Sequence, residues 1–138
     1  MLYRKNEGFT FIEIMGVLLI ISILMGVLMT GFNAYKNNAN RTRAKIELKR
    51  IATSIEFYKS DIGKYPERLK DLVKAPGDVS GWKRGGYVEG SLKNLEDPWG
   101  NKYKYQLTPG KEHPYELYSY ASGGKGAPKG EWLSAWSE

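Results

Sequence analysis

Cysteine is absent from this 138-residue chain. No disulfide, thiolate metal site or cysteine nucleophile can form, and the redox compartment leaves no mark on the sequence. Histidine occurs once, as His113 between Glu112 and Pro114. A lone histidine in such a turn is expected to face solvent, and no catalytic constellation gathers around it. A phosphate-binding glycine loop is also missing. Gly123-Gly124-Lys125-Gly126 lacks the strand before it and the helix after it that such a loop needs. These absences argue against an enzyme, and no cofactor is expected. Acidic residues are in the minority, with 15 Asp and Glu against 21 Lys and Arg, a formal net charge of +6. That balance could favour nucleic acid or anionic lipid. The basic residues are interspersed with carboxylates, however, which fits a solvated surface better. No nucleic-acid partner is expected.

What the chain has is one long apolar run. A charged leader, Arg4-Lys5-Asn6-Glu7, ends at Gly8, and the run then extends from Phe9 to Phe32. As a helix it would reach roughly 36 Å at about 1.5 Å per residue, enough to cross a hydrocarbon core of about 30 Å. A cleavable secretory signal has a shorter apolar core, about 7–15 residues, with a small-residue cleavage site after it. Gly31-Phe32-Asn33-Ala34-Tyr35 offers no such site, so the run is expected to stay in the working protein. It contains one carboxylate, Glu13. An isolated carboxylate costs about 2.5–3.5 kcal/mol at the bilayer centre and less near an interface. Its position leaves two readings open. Glu13 sits near a helix N-terminus, favoured by the dipole and close to headgroups, or it awaits a cationic partner.

Beyond the run, Ala44, Leu48, Ile51, Ile55 and Tyr58 fall at alternating spacings of four and three. This predicts a continuing helix with one buried face. Lys45, Lys49, Arg50, Glu56 and Lys59 take the opposite face, and Asp61-Ile62-Gly63 with Pro66 stops the helix. One helix from about Phe9 to Ser60 would be roughly 78 Å long. Its join is rich in poor helix formers, among them Gly26, Gly31, Asn37 and Asn38. About 100 residues follow Lys36, enough for one small core. A short helical turn with Leu69, Leu72 and Val73 on one side is expected after Pro66-Glu67. Trp82 and Tyr87 are candidate anchors in a glycine-rich stretch. Lys102–Leu107 and Tyr115–Tyr120 alternate with period two and flank Thr108-Pro109-Gly110-Lys111. They predict an antiparallel hairpin, and Glu131-Trp132-Leu133 is a candidate closing strand. The fold class is therefore α+β.

Gly8-Phe9-Thr10-Phe11-Ile12-Glu13 resembles the processing site of type IV pilins and type II secretion pseudopilins. Phe57 to Pro66 resembles the helix exit of the major pseudopilins. Asp97-Pro98-Trp99-Gly100 resembles a motif ahead of their first strand. In this motif proline fixes a turn, glycine permits positive φ and tryptophan fills the core beside it. Together these cover most of the chain and are closest to the major pseudopilin of type II secretion systems. The resemblance implies a pilin-like fold, with the N-terminal helix packed on a small head. It implies a leader at residues 1–8, a transmembrane and filament-core helix at 9–32, and a second helix half with its head at 33–138. It implies cleavage after Gly8 by a prepilin peptidase, methylation of the new N-terminal Phe9, and subunit addition guided by Glu13 through a neighbour's amine. The implied partners are other copies in a helical homopolymer, minor pseudopilins, a membrane assembly platform, the peptidase and membrane lipid. The implied location is the inner membrane with the head outside the cytoplasm, then a periplasmic filament that moves folded cargo. The positive-inside count, with Lys36, Arg41, Arg43 and Lys45 after the run, points the other way. The motif is the more specific of the two signals.

Two features depart from the pattern. Many pilins carry a proline at the position aligned with Thr30, and this chain has none. Major pseudopilins usually carry a calcium site in the loop before the last tryptophan. Here that loop, Ser122 to Trp132, holds no aspartate and one carboxylate, Glu131. Calcium takes six to eight oxygen ligands, several of them charged, so the metal site is expected to be missing. Lys125 or Lys129 could stand in the ion's place, or both could simply be solvated. Two other functions stay open from the residues. One is a type IV pilin for adhesion, motility or DNA uptake, although those often close a C-terminal disulfide. The other is a single-pass ligand-binding protein that never polymerises.

Overall fold

A computed structural model describes residues 8–77, 79–89 and 95–137. The leader preceding Gly8 therefore lies outside the described residues. The chain divides into two compact units, Met1–Asn37 and Asn38–Glu138. Helix α1, Phe11–Ile62, begins in the first and ends in the second. Despite the glycines and asparagines of the join, every residue between these ends is helical.

Residues 8 to 36 are all exposed, and the side chains from Phe11 to Phe32 include a long uncharged series that meets only solvent. Contiguous apolar surface on this scale marks a membrane or protein contact. The helix is long and apolar enough to cross a bilayer.

In the second unit α1 is amphipathic, as its spacing predicts. Ala44, Leu48, Ile51 and Ile55 are fully buried and Tyr58 is nearly so. They form a core with Leu69, Leu72, Val88, Leu95, Tyr103, Tyr115, Leu117 and Leu133. Gly63 ends α1 at φ +85°. The expected turn after Pro66 is one 3-10 helix, Leu69–Leu72, whose Asp71 accepts from the Arg68 backbone N–H at 3.0 Å. Trp82 and Tyr87 act as the expected anchors. Trp82 Nε1 donates to the Asp71 carbonyl at 2.9 Å, and the Tyr87 hydroxyl donates to Asp61 Oδ2 at 2.9 Å. Gly86 sits at φ +86°, and a Cβ there would lie 3.0 Å from the Leu72 carbonyl oxygen. Only glycine lets the backbone pass so close.

Three antiparallel strands complete the head: β1 Lys104–Leu107, β2 Tyr115–Ser119 and β3 Leu133–Ser134, with β2 central. The hairpin register pairs Lys104 with Tyr118 and Leu107 with Tyr115. The closing strand lies at Leu133–Ser134, two residues later than Glu131. Tyr115, Leu117 and Ser119 of β2 face the core, while Glu116 and Tyr118 face outward. His113 departs from expectation. Its ring lies flat on Trp136, with centroids 4.1 Å apart and 2° between planes, and it is only half exposed. Burial against an indole face outweighs hydration of the ring.

Candidate functional site

Thr10-Phe11-Ile12-Glu13 has the spacing of a capping box, in which a threonine side chain and a glutamate three residues on satisfy orphan N–H groups at a helix start. The structure builds it. Thr10 Oγ1 accepts from the Glu13 N–H at 3.3 Å, and Glu13 Oε2 accepts from the Thr10 N–H at 2.9 Å. The Thr10 hydroxyl also donates to Oε2 at 3.1 Å. Glu13 therefore has a local partner, which answers its need for one without any second chain. Both of these bonds fall on Oε2. Oε1 accepts no hydrogen bond among the described residues. Phe9 adjoins the cap residue, is 84% exposed and has room for a neighbour. Gly8 meets nothing within 4 Å of where a Cβ would stand. Sequence reading singles out Gly8, Phe9 and Glu13. It misses Thr10, although the capping-box spacing was there to be read.

Asp97 organises the turn ahead of β1. Its Oδ1 accepts from the Trp99 and Asn101 N–H groups at 3.1 and 2.8 Å, and its Oδ2 accepts from the Ser119 hydroxyl at 2.6 Å. Ser119 Oγ in turn accepts from the Ala121 N–H at 3.0 Å. Asp97 is 5% exposed, and Gly100 takes the positive φ of +84° that the motif needs. The aspartate thus ties the turn to the central strand and to the start of the loop from Ala121.

That loop forms two short 3-10 turns, Ala121–Gly126 and Lys129–Glu131. The carbonyls of Gly124, Pro128 and Lys129 accept backbone N–H groups. Ala127 O accepts from Trp132 Nε1 at 2.9 Å, and Glu131 O accepts from Arg41 Nη1 at 3.4 Å. Trp132 stacks on Tyr118 with centroids 4.8 Å apart. The loop is poor in charged oxygens of the kind calcium takes. Its one side-chain carboxylate is Glu131, and a guanidinium sits on that residue's carbonyl. No group of three or more His, Cys, Asp or Glu could hold a metal among the described residues. Lys129 Nζ lies 5.9 Å from the Trp132 ring centroid, while Arg41 and Trp132 donate to the Glu131 and Ala127 carbonyls.

Comparison with known proteins follows the same division of the chain. Residues 32–135 match the family described as Type II secretion system (T2SS), protein G. Residues 3–29 match the prokaryotic N-terminal methylation motif. The type II secretion system core protein G of Pseudomonas aeruginosa is 40% identical over 129 residues, covering 88% of this chain and 87% of that protein. The core protein G of Vibrio cholerae is 30% identical, covering 94% and 93%. The crystal structure of the major pseudopilin from the type 2 secretion system of enterohaemorrhagic Escherichia coli superposes with a TM-score of 0.61. It shares 21% identity, over 75% of this chain and 87% of that one, a likeness of fold.

Proposed function

This chain belongs to the type II secretion system protein G family, the major pseudopilins, and from that premise we propose that Gly8, Phe9 and Glu13 are its maturation and assembly residues. Family membership sets aside both the type IV pilin and the non-polymerising ligand-binding protein. A peptidase cuts after Gly8 and frees a positive amine on Phe9, which is then methylated. The Glu13 carboxylate of one subunit meets that amine on the next as the filament grows. The observation that carries this reading is Glu13 itself, held at the helix start by Oε2 with Oε1 left to accept a further donor. An ion pair in a low-dielectric zone is much stronger than in water, so the pair forms where the apolar helices gather.

The subunit waits in the inner membrane, with its head outside the cytoplasm, and works in a periplasmic filament. Its partners are copies of itself, minor pseudopilins, the assembly platform and the peptidase. No catalytic group, cofactor or calcium ion takes part. The test is the intact mass of the protein extracted from its native host. The expected mass lacks Met1–Gly8 and gains one methyl. A full-length chain in assembled filaments would overturn the reading.

A further inference from the structure

The cations of this chain are spread unevenly. No charged residue occurs from Ile14 to Tyr35, and residues 36–50 then hold six Lys and Arg against Glu47 alone, five of the chain's net six positive charges. The mixing with carboxylates that holds for the chain at large fails in this one segment. Its share of the second unit places Arg41, Arg43, Lys45, Lys49 and Arg50 on the head's part of α1. Arg41 is half-buried and the other four are exposed. Both oxygens of Glu47 are already engaged. Oε1 accepts from Arg43 Nε at 2.9 Å and Oε2 from the Tyr103 hydroxyl at 2.8 Å. Arg41 meets a neutral group, the Glu131 carbonyl. Lys45, Lys49 and Arg50 have no carboxylate partner among the described residues. The segment therefore faces solvent with an unbalanced positive charge.

Such a belt calls for an anionic partner, and its place in the sequence selects one. The five residues fall between nine and eighteen positions after Phe32, where the apolar run ends. Cations this close to the end of a membrane span lie within the influence of the bilayer surface. We infer that the belt from Arg41 to Arg50 binds the headgroups of anionic phospholipids, in the leaflet from which the head emerges. A zwitterionic headgroup carries its own cation beside the phosphate, so it balances less of the belt's charge. The attraction decays over a Debye length of about 8–10 Å and grows with each Lys or Arg near the surface. Nucleic acid is the other polyanion that suits the charge. The bilayer, however, is tethered to the belt by the chain itself, which keeps its effective concentration high. The inference rests on the placement of the subunit in a membrane given above, and not on filament assembly or orientation.

The test uses the full chain in a neutral detergent. It is offered equal amounts of phosphatidylglycerol and phosphatidylethanolamine with the same acyl chains, and bound lipids are counted by native mass spectrometry. Phosphatidylglycerol should be preferred by about tenfold. Lys45→Gln with Lys49→Gln and Arg50→Gln should bring the two lipids within about twofold of each other, with head melting unchanged. Lys45→Arg with Lys49→Arg keeps the charge and should keep the preference. So should Arg4→Gln with Lys5→Gln, which removes the cations before the apolar run. Raising the salt from about 50 to about 500 mM should erase most of the wild-type preference, a readout that needs no variant to fold. A preference that ignores salt, survives loss of the three cations or disappears with Arg4 and Lys5 would overturn the inference. Tighter binding of a duplex oligonucleotide than of phosphatidylglycerol would overturn it by assigning the belt to nucleic acid. A wild-type chain that holds neither lipid would refute the membrane span itself, and one that holds both equally would refute the belt alone.

Discussion

Glutamine in place of Glu13 separates capping from charge. Its amide oxygen can still accept from the Thr10 N–H, since a capping box works with Gln as well as Glu. What it lacks is the anion for a neighbour's amine. Glu13→Gln is therefore expected to insert and fold normally and to lower filament yield at least tenfold, measured as sheared filament against total membrane subunit. Thr10→Ala is the complementary change. It loses about 0.5–2 kcal/mol of cap stability but keeps the charge, and it should assemble far better than Glu13→Gln. Equal yields from wild type and Glu13→Gln would leave Glu13 with capping alone. Asp97 is the corresponding residue of the head. Asp97→Ala removes the acceptor of two part-buried backbone N–H groups and of the buried Ser119 hydroxyl, and an orphaned buried group costs about 1–3 kcal/mol. A loss of about 3 kcal/mol or more is expected, which for a domain of this size lowers the melting temperature by ten degrees or more. A melt of the variant head within a few degrees of wild type would show the turn holding without its carboxylate.

At the scale of elements, α1 and the β1–β2 hairpin were legible because each has one dominant period. The four-three spacing of Ala44 to Tyr58 and the alternation of Tyr115 to Ser119 both mark a half-buried surface. The loop from Ala121 was not legible, because no apolar period marks its two 3-10 turns and its tie to α1 comes from Arg41. Contacts made across ninety residues leave no local pattern. The flat stacking of His113 on Trp136 was hidden for the same reason. The buried tyrosines of the head have a consequence that can be measured. Burial, then the hydrogen bond donated to Glu47 at 2.8 Å, pushes the Tyr103 hydroxyl well above its ordinary value of 10.0. Burial pushes Tyr105 and Tyr115 up as well. A phenol with a raised folded-state pKa favours the folded state fully below the unfolded value and loses that contribution as pH climbs above it. Head stability from urea melts should stay level from pH 7 to 9 and fall beyond about pH 10. Tyr103→Phe should flatten that fall, and an unchanged slope would show that other groups cause it.

At the scale of the whole molecule, the two units meet different needs. Residues 8 to 36 are exposed along an apolar helix, a surface for lipid or other copies to cover. Residues from Asn38 onward hold a complete core and can be tested alone as a fragment starting near Lys36. Its stability is expected to owe nothing to calcium. Dehydrating a divalent ion takes several charged oxygens, and the loop from Ser122 to Glu131 supplies a single carboxylate and two lysines. Arg41, reaching from α1 to the Glu131 carbonyl, and Trp132, bonded to the Ala127 carbonyl, already join the loop to the head. A ligand that binds only the folded state stabilises it by RT ln(1 + [L]/Kd), about 2.7 kcal/mol at a hundredfold excess over Kd. At about 4–8 °C per kcal/mol for a domain of 60–100 residues, true binding would move the melt by ten degrees or more. Thermal melts in millimolar calcium and in EDTA are expected to coincide. Arg41→Ala should lower both curves together, because the clamp it removes is not a metal. A calcium-dependent rise of several degrees in wild type would mean that Glu131, backbone carbonyls and water suffice to hold the ion.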